Sequence, residues 1–517
     1  LEQADAILEG ERGNIVGVRL YDHRGGAGTP QFAVNSGKTG SGKTADAINI
    51  VSQAGHLWNR CPADGKRRGF MAIFDEGLAW HTTAAMFGLA PIILREGNTP
   101  TVNPFETAGL PRTGSLYSEI VAYGMALCGS AASADLNELR KGLIEQYAKA
   151  LSDAFAEDFL GSDSEREMAL AKELVAVFRL KKTMREESDL ADAYVEWIGL
   201  DADRQALLLA EVKPTEVRDY LTNPPLRVWL RDYAYTRIDT KHPDFPKWRH
   251  LVAMFQFGRL PIHSTPDTSD EIRRELDTLG SRLQRGLAGG VLGTLLDGSS
   301  TLQFTSPGIY VETSFLPEGS LLRSVAPMLI LGRVRRFLVT RPRSEYKMVL
   351  FEEFKKLAEI PGIEQATKES LAQFRKYAVW FAANFQAPGQ IDEVNPALTD
   401  LLFGQSAQFW LHCMPGPADI KRVAEATGLP LTAQRAIGAY PMIADQPGEK
   451  ASFMCLYAPT GNGTCAVGTT RNVAHPYLLY VVSSNGEIFD QRQDAMRKYP
   501  SAFQCVVSEV DKARRTG

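Results

Sequence analysis

The sequence predicts an α/β domain interrupted by a large α-helical insertion. Three observations predict it. The run Gly37-Lys38-Thr39-Gly40-Ser41-Gly42-Lys43-Thr44 fits the phosphate-binding loop pattern G-x-x-x-x-G-K-[ST] at every fixed position, between a strand-like and a helix-like segment. Short apolar runs alternate with helical stretches in residues 1–110 and again in 301–517, as in a parallel sheet covered by helices. Residues 111–300 between them are rich in Leu, Ala, Glu, Lys and Arg and hold few strand-like runs. The expected organisation is one α/β domain in two parts, 1–110 and 301–517, split by a helical insertion at 111–300.

Taken in order, Gln31-Phe32-Ala33-Val34-Asn35 reads as the strand that delivers the glycines, and Ala45 to Val51 carries apolar residues at helical spacing. Each fixed residue of the loop has a task. Gly37, Gly40 and Gly42 admit positive φ, so that successive backbone N–H groups, with Ser41 among them, can surround phosphate oxygens. Lys43 is placed to reach the terminal phosphates, and the Thr44 hydroxyl to ligate Mg²⁺. A Gly-rich turn that binds nothing is the alternative, and the flanking strand and helix speak against it.

Phe70 to Asp75 is a second apolar strand ending in an acid, and Pro91 to Leu94 a third. Leu136 to Ile144 and Glu165 to Val175 carry helical periodicity, their charges forming solvated faces. Loops are expected near Pro224-Pro225 and Thr265-Pro266-Asp267. Strand character returns at Thr301 to Phe304 and Gly308 to Thr313, followed by a helix from Leu321 to Val339 with Pro327 near its start. Lys347 to Glu353 and Ala378 to Gln386 then read as strands ending in polar residues.

A phosphate loop needs a partner acid for the Mg²⁺ shell and a group that polarises the attacking water. Glu352 and Glu353, at the carboxyl end of an apolar strand, meet both needs: Glu352 for the metal, Glu353 for the water. Gln386, ending the next strand, is placed to contact the γ-phosphate or the water. Arg375 is a candidate arginine finger reaching a neighbouring subunit's nucleotide. Each has a plainer reading, as a surface acid pair, a polar strand end and a solvated cation. Asp75 and Glu76 read equally as structural hydrogen bonders or Mg²⁺ contacts, and the basic stretch from Arg333 to Arg343 reads as a solvated helix end and loop, with a substrate or partner surface as the alternative.

Composition bounds the rest. A length of 517 residues suggests two or more packed units, and 44% hydrophobic with 23% charged residues is ordinary for a globular protein. A net charge of −4 and a pI near 6.2 give no general basic field for nucleic acid, though a local basic channel stays possible. No apolar run reaches the ~18 residues that a membrane span needs. The six cysteines include no C-x-x-C pair and read as free thiols, and no Cys/His cluster has zinc-ligand spacing. A start at Leu1 suggests an excised part of a longer polypeptide.

With these landmarks in place, the chain resembles the type IV secretion and conjugative-transfer ATPases. The resemblance runs from Gly37–Thr44 and the Phe70–Asp75 strand to Val102-Asn103-Pro104-Phe105, similar to the family's N-P-F segment. It continues through Gly290 to Gly298, similar to G-x-x-G-x-L-F-D-G with Leu296 in place of Phe, and Tyr310-Val311-Glu312. The acid pair, Arg375-Lys376 and the strand to Gln386 complete it, with a weak match at Thr427-Gly428-Leu429-Pro430. It implies a RecA-like motor domain that binds and hydrolyses ATP with Mg²⁺. It implies a homo-oligomer, a ring such as a hexamer or a dimer, meeting other secretion-system subunits at the cytoplasmic face of the bacterial inner membrane. It also implies a parent protein with a further N-terminal domain. One departure stands out: the family's acid pair is Asp-Glu, and here it is Glu352-Glu353, which points to slow or assembly-dependent hydrolysis. Two other readings stay open. One is a DNA-pumping ATPase of the coupling-protein type, which the acidic pI disfavours; the other is a nucleotide-gated scaffold with little hydrolysis. ATP over GTP rests on the resemblance alone.

Overall fold

A computed structural model describes residues 4–516 apart from 23–28, 59–68, 130–132, 182–186, 266–267, 288, 291, 305–306, 361–362, 415, 447–449, 461–463 and 483–485. Cys61, the loop residues Pro266 and Asp267, and Val291 of the Gly290–Gly298 turn therefore lie outside the described residues.

In chain order the elements that position the site are β1 (Ala33–Ser36), α1 (Lys43–Gln53), β2 (Gly69–Asp75) and β3 (Ala90–Ile93). Then come α2 (Gly114–Cys128) and α3 (Ala134–Gly161), which open a long helical segment. The chain returns through β4 (Gly308–Glu312), α4 (Leu321–Val339), β5 (Tyr346–Phe351), α5 (Ile363–Lys376), β6 (Val379–Phe385) and β7 (Gln408–Leu411). It closes with the hairpin β8 (Ala451–Thr460) and β9 (Thr464–Val473), followed by helices. All nine strands form one sheet in the order β9-β8-β7-β1-β6-β5-β2-β4-β3. Pairing is parallel from β7 to β3 and antiparallel in the β7-β8-β9 edge. The fold is thus the expected α/β RecA-like P-loop fold.

The central strands are apolar throughout because both sheet faces are covered. Successive side chains alternate between two cores. Phe70, Ala72 and Phe74 of β2 join Val349 and Phe351 of β5 on the face packed by α2, α4 and α5. Met71 and Ile73 join Met348, Leu350, Trp380 and Trp410 on the face packed by α1. Phe74 and Phe351 stack across neighbouring strands with ring centroids 4.3 Å apart, which fixes the register that aligns the strand ends.

Between β3 and β4 the described regular elements are helical. Ser133 starts α3 by accepting from the Leu136 N–H at 3.2 Å, the side-chain cap that an N-terminal serine supplies. α2 and α3 approach closely at Gly124, where an added Cβ would lie 2.8 Å from Ile144 Cδ1. At the root of this segment, Asn103 Nδ2 donates to Pro246 O at 2.8 Å, and the Ser300 N–H donates to Glu106 Oε1 at 2.9 Å. Both ends of the helical segment are thereby pinned beside the sheet.

Two expectations are corrected. Thr301 to Phe304 forms no strand: its Thr301 N–H meets Thr101 O at 2.9 Å, and Phe304 packs onto Phe70 and Phe337 instead of extending the sheet. The Arg333–Arg343 stretch is not simply a solvated helix end, because Arg333, Arg335 and Arg336 turn inward to Glu106 and Glu119. Helical periodicity reports which face is apolar, but it cannot report a carboxylate brought from two hundred residues away. Among the described residues no helix is long and apolar enough to cross a membrane, and Cys128, Cys413, Cys455, Cys465 and Cys505 are free thiols.

Candidate nucleotide site

The parallel register brings the carboxyl ends of five strands to one edge. Ser36 pairs with Phe385, Ala383 with Phe351, Phe74 with Phe351, and Asp75 with Glu312. The residues that follow these pairs, Gly37, Gln386, Glu352 and Glu76, must therefore cluster. Ligands of open α/β sheets bind at such carboxyl edges. The acid-bearing β5 is separated from the loop-bearing β1 by β6, so the acids face the loop across one strand.

The loop itself is tied down by backbone bonds. The Gly37 N–H donates to Gln386 O at 3.1 Å, and the Lys38 N–H to Cys413 O at 2.9 Å. Gly40 and Gly42 have φ of 81° and 103°, the left-handed region in which a side chain is strained. Gly42 is doubly required, since an added Cβ would lie 2.3 Å from Ser452 Cβ of β8. Lys43 Nζ crosses the concavity to Gly37 O at 2.7 Å. Burial lowers the Lys43 pKa, opposed by the carboxylates of Glu352 and Glu353. Ser41 Oγ is buried without a hydrogen-bond partner, a donor left over inside the cradle.

Below the loop lies a polar contact set that sequence reasoning missed. Asp46 of α1 accepts from Ser452 Oγ at 2.7 Å and from Asn472 Nδ2 at 3.1 Å, with His412 Nδ1 at 3.6 Å. Burial raises the Asp46 carboxyl to about 7, and burial together with the Lys43 charge lowers His412 to about 3. The β7-β8-β9 edge thus clamps the start of α1 from underneath. No short motif encodes such a contact.

Thr44 Oγ1 donates to Glu352 Oε1, so the two residues expected to share the metal meet directly. Glu352 Oε2 accepts from Trp80 Nε1 at 2.8 Å and Asn384 Nδ2 at 2.7 Å. Burial raises the Glu352 pKa while these three hydrogen bonds pull it back. Glu353 is raised by burial and then by the charge of Glu352, with Lys43 and the Gln386 amide opposing. Gln390 Nε2 lies 3.5 Å from Gln386 Oε1, consistent with the Gln386 amide nitrogen facing Glu353. A threonine hydroxyl beside a carboxylate is an oxygen set that suits Mg²⁺, and the glycine cradle with Lys43 and the spare Ser41 hydroxyl suits a polyphosphate.

Asp75 is occupied structurally. It accepts from the Trp80 N–H at 2.8 Å and Tyr310 Oη at 2.9 Å, and burial followed by Glu312 raises its pKa well above the ordinary value. Glu312 binds the N–H groups of Gly77, Leu78 and Ser314 and so fixes the turn that carries Trp80. Glu76 pairs with Arg323. Arg375 stands apart: its guanidinium donates to Gln405 O at 2.8 Å and lies 5.4 Å from the Phe32 ring, at the amino end of β1. The loop leaves the opposite end of that strand, so Arg375 does not reach this chain's own loop. Trp80, Asn384 and Glu312 were not singled out for the site by sequence reasoning. Asn384 alone had a signal, its place two residues before Gln386 on the same strand.

No family model matches this chain, and no curated protein matches it. Among solved structures, VirB4 of Thermoanaerobacter pseudethanolicus overlays with a TM-score of 0.57 at 13% identity, covering 92% of this chain and 98% of that one. The plasmid coupling protein TrwB in complex with the non-hydrolysable GTP analogue GDPNP gives a TM-score of 0.45 at 14% identity, over 87% of this chain and 88% of that one. At this identity the similarity is one of fold, and the chain shares its fold with VirB4 along nearly its whole length.

Proposed function

We propose that this chain is an ATP-binding and ATP-hydrolysing motor subunit that energises a bacterial type IV secretion or conjugative-transfer system. One observation carries the enzymatic part: Thr44 of the phosphate loop and Glu352, 308 residues later, share a hydrogen bond, with Glu353 and Gln386 beside them. The near-complete overlay on VirB4 supports the biological setting.

In this reading Lys43, Gly40, Ser41 and Gly42 would hold the phosphates, while Thr44 and Glu352 would hold Mg²⁺. The metal, when bound, offsets charge on the phosphate oxygens. Glu353 accepts a proton from the attacking water, for which its raised pKa makes it a stronger base than an ordinary glutamate. Gln386 orients that water through its amide. Arg375, remote from its own loop, acts only in an assembly, where it faces a neighbour's nucleotide. Assembly as a homo-oligomer at the cytoplasmic face of the inner membrane, with other secretion subunits, belongs to the same reading. DNA pumping of the coupling-protein type is the second reading, disfavoured by the net charge of −4.

The test is ATP turnover per subunit against protein concentration, with Lys43→Ala as the inactive control. Turnover is expected to rise with assembly, and Arg375→Ala to flatten that rise while leaving nucleotide affinity unchanged. Tight nucleotide binding with no turnover at any concentration would replace the motor by a nucleotide-gated scaffold.

A further inference from the structure

A nucleoside triphosphate seated on the phosphate loop would present its two ends to different flanks. In the reading above, the γ end faces Glu353 and Gln386, which follow β5 and β6. The sheet order β8-β7-β1-β6-β5 puts β7 and β8 on the other flank. The nucleoside, at the opposite end of the phosphate chain, would therefore leave toward β7 and β8.

That flank carries an apolar surface. β8 runs antiparallel to β7, so its first residues and the segment before them, 440–446, lie at the edge where the phosphate loop opens. Two side chains of this segment meet the outer face of the loop. A Cβ added at Gly40 would lie 3.5 Å from Met442 Cε, and one added at Gly42 would lie 3.2 Å from Ile443 Cδ1. Met442 and Ile443 are both half-buried, so each covers the loop with part of its surface and leaves part open to solvent. The other flank offers acid and amide groups instead, those of Glu353, Gln386 and Gln390.

The segment is also held still. Tyr440 packs on Phe453 of β8 with ring centroids 5.7 Å apart, and the Asp445 N–H closes a turn on Met442 O at 3.1 Å. Gln446 spends its amide on Ala451, Nε2 donating to the carbonyl at 2.7 Å and Oε1 accepting from the N–H at 2.9 Å. Lys450 Nζ donates to Ala444 O at 3.2 Å. A turn fixed by its own hydrogen bonds loses little freedom when a ligand settles on it. Methionine is unbranched and polarisable, and its thioether packs well against aromatic rings. A purine laid on such a surface gains from the apolar area it covers.

We infer that Met442 and Ile443 form the seat of the nucleoside, the base lying on their side chains beside the phosphate loop. The inference rests on the nucleotide-site reading above. It adds the residues that tell a nucleoside triphosphate from bare polyphosphate, a distinction that Lys43 and the glycines cannot make.

The experiment is titration calorimetry of the full chain in Mg²⁺ with two probes, ATP and inorganic tripolyphosphate, which keeps the phosphates and lacks the nucleoside. Met442→Asn should weaken ATP at least fivefold and leave tripolyphosphate within twofold. Photolabelling with 2-azido-ATP gives a second readout that needs no variant: the label should fall on the tryptic peptide that ends at Lys450 and starts after Arg435, and excess ATP should suppress it. Met442→Asn weakening both probes alike would make Met442 a support of the loop only, and overturns the inference. ATP affinity unchanged in that variant, or label confined to other peptides, overturns it as well. Lys43→Ala is the non-binding control. A parent chain that binds neither probe would overturn the nucleotide site together with the seat, and is thereby told apart from a failure of the seat alone.

Discussion

The Glu352-Glu353 pair invites a direct perturbation. From the family pattern alone, Glu352→Asp should restore the usual acid and speed hydrolysis. The structure predicts the reverse. The Glu352 carboxylate spans two groups of donors, Thr44 Oγ1 on one oxygen and Trp80 Nε1 at 2.8 Å with Asn384 Nδ2 at 2.7 Å on the other. Removing a methylene withdraws the carboxylate by about one C–C bond, ~1.5 Å, which carries contacts on one side beyond hydrogen-bonding range. A hydrogen bond to a charged group is worth ~1.5–3 kcal/mol, and each ~1.4 kcal/mol is tenfold in rate, so turnover should fall about 10- to 100-fold. The assay is phosphate release at saturating Mg-ATP, with the affinity of a fluorescent nucleotide measured in parallel. Trp80→Phe, which keeps the acid and deletes one donor, should lower turnover about tenfold by the same arithmetic. Turnover of Glu352→Asp equal to or above that of the parent would refute the view that Trp80 and Asn384 fit this site to a glutamate.

Glu353→Gln should abolish turnover and leave nucleotide affinity within about twofold, because an amide cannot accept the water proton; retained hydrolysis removes Glu353 from the mechanism. In the parent, a base must be ionised to work, so turnover should fall as pH drops through the Glu353 pKa, with an acid limb above the ordinary 4.5; a limb at or below 4.5 contradicts the buried setting. Asp46 gives a stability prediction. Its carboxyl is raised from 3.8 to about 7, so the folded state holds a proton that the unfolded chain releases, and stability declines as pH rises between those values. At ~1.4 kcal/mol per pH unit the whole effect is bounded at roughly 4 kcal/mol, and Asp46→Asn should remove that decline. Denaturant unfolding at pH 5 and pH 8 checks it: an equal pH dependence in parent and variant would show that Asp46 is not the group responsible.

Much of the fold was legible because its period is short-range. The strand before Gly37, the helix after Thr44, the β5 run to Phe351 and the β6 run to Phe385 are all visible as local apolar patterns. Thr301 to Phe304 misled for the same reason: Phe304 packs on Phe70 and Phe337, and the run has no strand partner. The basic run from Arg333 misled because its carboxylates, Glu106 and Glu119, come from a distant part of the chain. Within the site, Glu352, Glu353 and Gln386 were legible as polar residues ending apolar strands. Trp80, Glu312 and Asp46 were not, since each acts through a contact made across the sheet.

What the sequence by itself determined is the chemistry at each strand end: glycines that admit positive φ, a lysine and hydroxyl after them, and acids following a buried run. These are properties of a residue and its near neighbours. Only the tertiary structure decided which ends meet. Parallel register places Glu352 against Thr44 across 308 residues, seats the longer acid on Trp80 and Asn384, and sends Arg375 to the far end of β1. Register is fixed by packing on both faces of the sheet, and that packing is a sum over the whole chain.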